Sequence, residues 1–231
     1  ADDISDFEIE GMSIGDSALD FFSEKELVST KSYLWADKKF ASSNLLEIKI
    51  SSLKKVKLID KIIVSTDSDL AIKIAKKNEI NFHRREPYFA SSKCTNSDFF
   101  ENLAKSIEGD FLMYTPCTAP LVKTKTINDF LKKFLTFYPK HDSMNTINFV
   151  KEHLWLNNKP MNYNPKKSPN TQDLPNIMKL TYGINIISRK DMIKNKNVLG
   201  KKPFFYNINE VEGIDVDNPL DFDVAEYLFK K

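Results

Sequence analysis

Cysteine, clustered charge and long apolar runs are all scarce in this sequence, and each scarcity removes a class of protein. Only two cysteines, Cys94 and Cys117, occur in 231 residues. They lack CxxC spacing, so a disulfide framework and a thiol-based metal site are both excluded. No apolar run approaches the ~18 residues of a membrane span. The first residues are acidic, unlike the basic start and apolar stretch of a secretory leader. The expectation is a cytoplasmic protein with no membrane partner. Lys and Arg number 34 against 32 Asp and Glu, and no clustered excess of base marks a nucleic-acid footprint. Lys54-Lys55 and Lys76-Lys77 fall between apolar positions and read as solvated helix faces. His83, His141 and His153 have no ligand spacing among themselves.

What is present is a 41% hydrophobic fraction, enough for a full core, arranged in alternating periods from Leu45 onward. Leu46, Ile50 and Leu53 follow the i, i+4, i+7 spacing of an amphipathic helix. The β-branched run Ile62–Thr66 predicts a buried strand. Asp67, Ser68 and Asp69 then offer caps for a helix with the stripe Leu70, Ala71, Ile74 and Ala75. A short strand at Ile80–Phe82 follows. Asn96 or Ser97 opens a helix bearing Phe99, Phe100, Leu103, Ala104 and Ile107, and Gly109 stops it.

Strands are predicted at Phe111–Thr115, Ser143–Val150, Leu180–Ser188 and Phe204–Ile208. Ile127, Phe130, Leu131, Phe134, Leu135 and Tyr138 form the cleanest helical stripe. The run Ile214–Asp217 leads into a last helix with Phe222, Ala225 and Leu228. Between Val150 and Leu180 lies a polar segment with four prolines, of the length that marks a lid or a connector. This rhythm predicts an α/β fold: a mostly parallel open sheet with helices on both faces and ligands at the strand C-terminal edge. Residues 1–44 do not share the rhythm and stay unassigned, with a boundary between about Lys38 and Asn44; residues 45–231 form the domain.

Five stretches in order, IIVSTDSD (62–69), FHRREPYFASS (82–92), TAPL (118–121), PNTQDLP (169–175) and GIDVDNPLDFDVAE (213–226), resemble the acylneuraminate (CMP-sialic acid) cytidylyltransferases. That resemblance implies a fold of the Rossmann-like, nucleotide-diphospho-sugar transferase type, with CTP and a sialic-acid-like sugar acid as partners. The sugar's anomeric hydroxyl attacks the α-phosphorus, pyrophosphate leaves and a CMP-sugar forms, by positioning and charge neutralisation. It implies Mg2+, or Mn2+ in its place, as cofactor, and a homodimer as the common assembly.

Residue by residue, the resemblance places the metal on Asp215 and Asp217. Alternate residues of a strand share a face about 6.5–7 Å apart, which suits a hard cation that also takes phosphate oxygens. The competing reading is that Asp-x-Asp caps the helix behind it. Arg85 matches an arginine touching the nucleotide, through a planar donor fork; Glu86, inserted before Pro87, leaves Arg84 as the alternative. Ser97 matches a serine near the cytidine, or caps its helix. Gln172 is the candidate contact with the acylated sugar, or a polar loop residue.

The sequence also departs from the family. Residues 1–44 contain no counterpart of the glycine- and lysine-rich turn that cradles the triphosphate, since Gly11 and Gly15 are the only glycines there and the run GMSIGDS carries Asp16 without a nearby base. Pro116 stands for a glutamine, Val122 for an arginine, and Asn170 for an arginine that pairs with the substrate carboxylate. The readings left open are a cytidylyltransferase for a sugar acid, a catalytically silent nucleotide-binding relative, and a glycosyltransferase with an Asp-x-Asp metal site.

Overall fold

A computed structural model describes residues 42–231 together with the short antiparallel pair β1 (Glu8–Ile9) and β2 (Met12–Ser13). Readings of the rest of residues 1–41 lie outside the described residues. The chain divides into two compact units, residues 1–48 with 63–95 and residues 49–62 with 96–231.

In the first unit β3 (Ile63–Thr66) pairs in parallel with β4 (Asn81–Arg84), and α2 (Asp69–Lys77) connects them. Ser68 caps α2 by accepting from the Ala71 N–H, as its hydroxyl suits it to do. The buried residues of α2 are Ile72, Ile74 and Ala75, whereas Leu70 is exposed. The apolar face therefore lies slightly round the helix from the expected stripe, because Ile72 rather than Leu70 shares the face of Ala75.

The second unit holds the remaining segments. Helix α1 (Ser42–Lys54) supplies its last turns, then α3 (Asn96–Ser106), β5 (Phe111–Tyr114), α4 (Thr124–Phe137) and β6 (Ser143–Val150) follow. After an excursion come β9 (Ile177–Ser188), α5 (Arg189–Asn195), β10 (Pro203–Asn207) and α6 (Pro219–Phe229). The sheet order is β10-β6-β9-β5. β10 and β6 run parallel, while β9 is antiparallel to both β6 and β5. β9 reverses because the chain returns to the sheet from the excursion without a crossover helix, which parallel pairing requires.

Successive residues of a strand face opposite sides of a sheet, and β9 uses both. Ile186 packs with Leu53, Ile127, Phe130, Leu131, Phe134, Met144 and Ile184. Its neighbour Ile187 packs with Phe100, Leu103, Ala104, Met192 and Val198. Helices α1 and α4 thus cover one face and α3 and α5 the other, and the α/β class with helices on both faces is borne out.

The excursion is more ordered than its proline content suggests. β7 (Trp155–Leu156) and β8 (Lys159–Pro160) form a small hairpin. Asn162 braces it, accepting from the Leu154 N–H and donating to Glu152 O. The Trp155 indole N–H donates to Tyr163 at 2.8 Å, and His153 meets the Tyr163 ring edge-on.

Candidate active site

The acidic pair sits where two loops of the larger unit are tied together. The Val216 N–H donates to Thr118 O at 2.8 Å. A few residues away, the Lys123 N–H donates to Glu212 Oε2 at 3.0 Å. Glu212 is buried and held in turn by the Asn209 side-chain amide at 2.7 Å. Gly213 closes this turn against the Asn148 side chain, which a Cβ at that position would strike. Asn148 has no room to retreat, since its amide donates to Ile208 O at 2.6 Å. The loop after β5 and the segment before α6 are therefore fixed to one another by backbone and buried carboxylate bonds.

Two expectations about the pair are corrected. Ile214–Asp217 belongs to no strand. Its N–H groups at Val216 and Asp217 go to Thr118 O and to Asp221 Oδ2, so no ladder forms. The carboxylates accordingly differ in setting: Asp217 is exposed and Asp215 half-buried. Nor does either aspartate cap α6. Asn218 does so, accepting from the Leu220 and Asp221 N–H groups, while Asp221 accepts from Asn218 to complete a capping box. With capping assigned elsewhere, Asp215 Oδ1 is buried and has no hydrogen-bond partner among the described residues. A buried carboxylate oxygen without a donor is costly and calls for an occupant.

A residue that the sequence reading passed over lies beside it. Leu45, Lys49 and Leu53, one helical turn apart on α1, are all buried, and Lys49 is only 3% exposed. Its Nζ donates to Ala119 O at 2.6 Å. Burial pushes its pKa down to about 8, against the opposing pull of Cys117 and Asp215. Burial likewise pushes the Cys117 thiol up, with the Lys49 ammonium working against that shift. The available signal was a lysine occupying a core position of an apolar stripe.

The other expected site residues are placed as follows. Arg85 belongs to the smaller unit, one residue beyond β4; its N–H donates to Thr66 O, and its guanidinium stands 3.7 Å from Asp67. Arg84 is more exposed and pairs with Asp69, so Arg85 is the better-sheltered fork. Ser97 is the second residue of α3 and exposed, inside the first turn instead of at its cap. Gln172 lies in the short turn Thr171–Asp173, exposed, with its carbonyl accepting from Lys151 Nζ at 2.6 Å. Buried Leu174 pins that turn. Among the described residues the acidic segment is tied to Thr118 by the Val216 bond, and Lys49 and Cys117 lie within electrostatic reach of Asp215. Among the described residues no cluster of three His, Cys, Asp or Glu forms a ready metal cage, and no helix is long and apolar enough to cross a membrane.

The open α/β sheet is that of nucleotidyltransferase structures to which this chain is similar. A 4-diphosphocytidyl-2C-methyl-D-erythritol synthase from Anaerococcus prevotii superposes with TM-score 0.59 at 12% identity, covering 81% of this chain and 86% of that one. A CMP:2-keto-3-deoxy-manno-octonic acid synthetase complexed with CTP gives TM-score 0.57 at 13% identity, covering 80% and 87%. A cytidylyltransferase family profile matches residues 38–164. The chain belongs to the cytidylyltransferase family. Among characterised relatives, the post-translational flagellin modification protein B of Campylobacter coli is 27% identical over 209 residues, 84% of this chain and 87% of that protein.

Proposed function

We propose that the protein is a CTP-dependent cytidylyltransferase that activates a sialic-acid-like sugar acid as its CMP derivative and releases pyrophosphate. The observation that carries this reading is the buried, partnerless oxygen of Asp215 at a rigid loop junction of a cytidylyltransferase fold. The relative named for flagellin modification and the neighbour that joins CMP to an octonic acid support a sugar acid as the acceptor.

Asp215 and Asp217 fit a Mg2+ or Mn2+ ion. One carboxylate oxygen is sheltered and free, the other carboxylate is open to water, and a hard cation that keeps several waters needs only one or two protein carboxylates. Such an ion would offset charge on the leaving pyrophosphate. The chain's own part is to bind and orient. Arg85 supplies a planar donor fork for phosphate or base, Ser97 a hydroxyl for the cytidine side, and Gln172 an amide for the acylated sugar. The exposed Trp155, Leu156 and Met161 of the hairpin suit a homodimer contact, and we assign the protein to the cytoplasm.

Pyrophosphate release with CTP, magnesium and a panel of nonulosonic acids tests the reading directly. Turnover with at least one acid, lost in Asp215→Asn, is expected; binding of CTP with no turnover on any acid would favour a silent nucleotide-binding relative. A thermal-shift measurement adds a second check. Ligand linkage stabilises by about 2.7 kcal/mol at a hundredfold excess over Kd, so Mn2+ should raise the Tm of the natural protein and not that of Asp215→Asn or Asp217→Asn. A shift that survives in both variants removes the pair from the metal site.

A further inference from the structure

A buried lysine is costly unless its charge is used. Lys49 is almost wholly enclosed and spends a single hydrogen bond, at 2.6 Å, on Ala119 O. An ammonium has three donors, so two remain unaccounted for among the described residues. The orphaned carboxylate oxygen of Asp215 is sheltered in the same region, one residue from the Val216–Thr118 bond that joins the two loops. Each group thus carries unspent bonding capacity of opposite sign, and each acts electrostatically on the other. Among the described residues the bond that Lys49 makes goes to the loop that holds the acidic segment.

We propose that Lys49 is a positioning residue of the acidic site: it anchors the Cys117–Ala119 turn and supplies the internal positive charge that balances Asp215 when no cation is bound. The lysine thereby sets how strongly the site takes a divalent ion. Taken with Lys49, the pair Asp215 and Asp217 sums to one negative charge instead of two, so the site holds a bare ion more loosely and favours an ion already carrying phosphate. Cations and anions should therefore respond to its removal in opposite directions, which a purely packing role would not produce.

The inference rests on the reading of Asp215 as a metal ligand, and two variants separate the failure of one from that of the other. Lys49→Gln keeps a donor for Ala119 O and removes the charge; Lys49→Met removes both. Mn2+ titration of the nucleotide-free protein, followed by the paramagnetic signal of free ion, should show Lys49→Gln binding at least fivefold tighter than the natural protein. CTP measured without metal should bind more weakly. If Asp215→Asn leaves Mn2+ affinity untouched, the metal reading fails. If Asp215→Asn abolishes binding while Lys49→Gln leaves the Kd within twofold, the metal reading stands and the role of Lys49 is overturned. Should Lys49→Gln fold poorly, the double variant Lys49→Gln, Asp215→Asn decides: a recovered Tm shows that the lone buried carboxylate was the fault and supports the pairing. A double variant no more stable than Lys49→Gln overturns it.

Discussion

Both compact units pair charges at the surface, but among the described residues only the larger one encloses charged groups. In the larger one, β9 buries five residues in succession, Gly183–Ile187, and the enclosed Lys49 and Glu212 bond to backbone and, for Glu212, also to the Asn209 side-chain amide. In the smaller one, β4 is mostly exposed, and its arginines reach Asp67 and Asp69 at the surface. Low dielectric magnifies every charge in the first setting, and water and salt screen it in the second. The same residue types therefore hold geometry in one unit and adapt in the other. That contrast suits a fixed acidic segment in the larger unit and, on the function proposed above, an arginine in the smaller one that adjusts to its ligand.

The sharpest way to break the comparison is to truncate one aromatic side chain in each unit. Phe130 is fully buried in the core beneath α4, so Phe130→Ala should cost about 3–5 kcal/mol in urea unfolding. Phe82 is 41% exposed on β4, and Phe82→Ala should cost about 1 kcal/mol or less. Equal losses would mean that the two units share one level of packing.

A second test uses alkaline pH. Lys49 has a folded pKa of about 8 against an ordinary 10.5. Between those values the unfolded chain holds a proton that the folded protein has released. Stability should therefore rise with pH across that window, by about 3 kcal/mol if the shift is realised in full. Below the folded value both states are protonated and the dependence ends. The difference in urea midpoint between the natural protein and Lys49→Met should track this rise, and a difference that stays flat from neutral pH to 10.5 contradicts the burial of the charge.

Smaller again is the effect at Gly213, where an added methyl meets the Asn148 amide. Overpacking of this kind costs about 1–3 kcal/mol. Because the turn leads directly into Ile214–Asp217, Gly213→Ala should also weaken Mn2+ binding. Unchanged stability and unchanged Mn2+ affinity would show that the turn opens freely.

Most of the fold was legible because it rests on local periodicity. Of the expected stripe Ile127, Phe130, Leu131 and Phe134 are buried as spaced while Leu135 and Tyr138 are exposed, and Gly109 ends its segment with a φ of 148° that favours glycine. What periodicity could not carry was strand direction, since β9 has the same apolar character whether it runs parallel or antiparallel to β6. The acidic pair was found by its motif, but its setting was not. The strand expected at Ile214–Asp217 is replaced by loop and cap bonds to Thr118 and Asp221, which depend on residues distant or downstream. Lys49 was hidden for a related reason: the helical stripe was read through Leu46 and Ile50, whereas the buried line through Leu45 and Leu53 passes through the lysine.

The smallest expected effect lies in the smaller unit, at His83. Its ring accepts or donates at Nδ1 to the Ser65 hydroxyl at 3.1 Å. Partial burial, and then the Arg85 guanidinium, hold its pKa below the ordinary 6.5. As pH falls through 6.5, the unfolded chain takes up a proton before the folded one does, so protonation favours unfolding. The contribution of His83 is thus complete above that value and is lost toward its lower folded pKa, in the same direction as for Lys49 but in an acidic window. The ring is only partly buried, so the loss should be a small fraction of that at the enclosed Lys49. His83→Asn, which keeps a partner for Ser65, should give a shallower decline of urea midpoint between about pH 7 and pH 5 than the natural protein shows. Arg85→Gln should act in the same direction by removing the second cause. A decline as steep in His83→Asn as in the natural protein would assign the acid sensitivity to carboxylates and leave the smaller unit without a titrating group near Arg85.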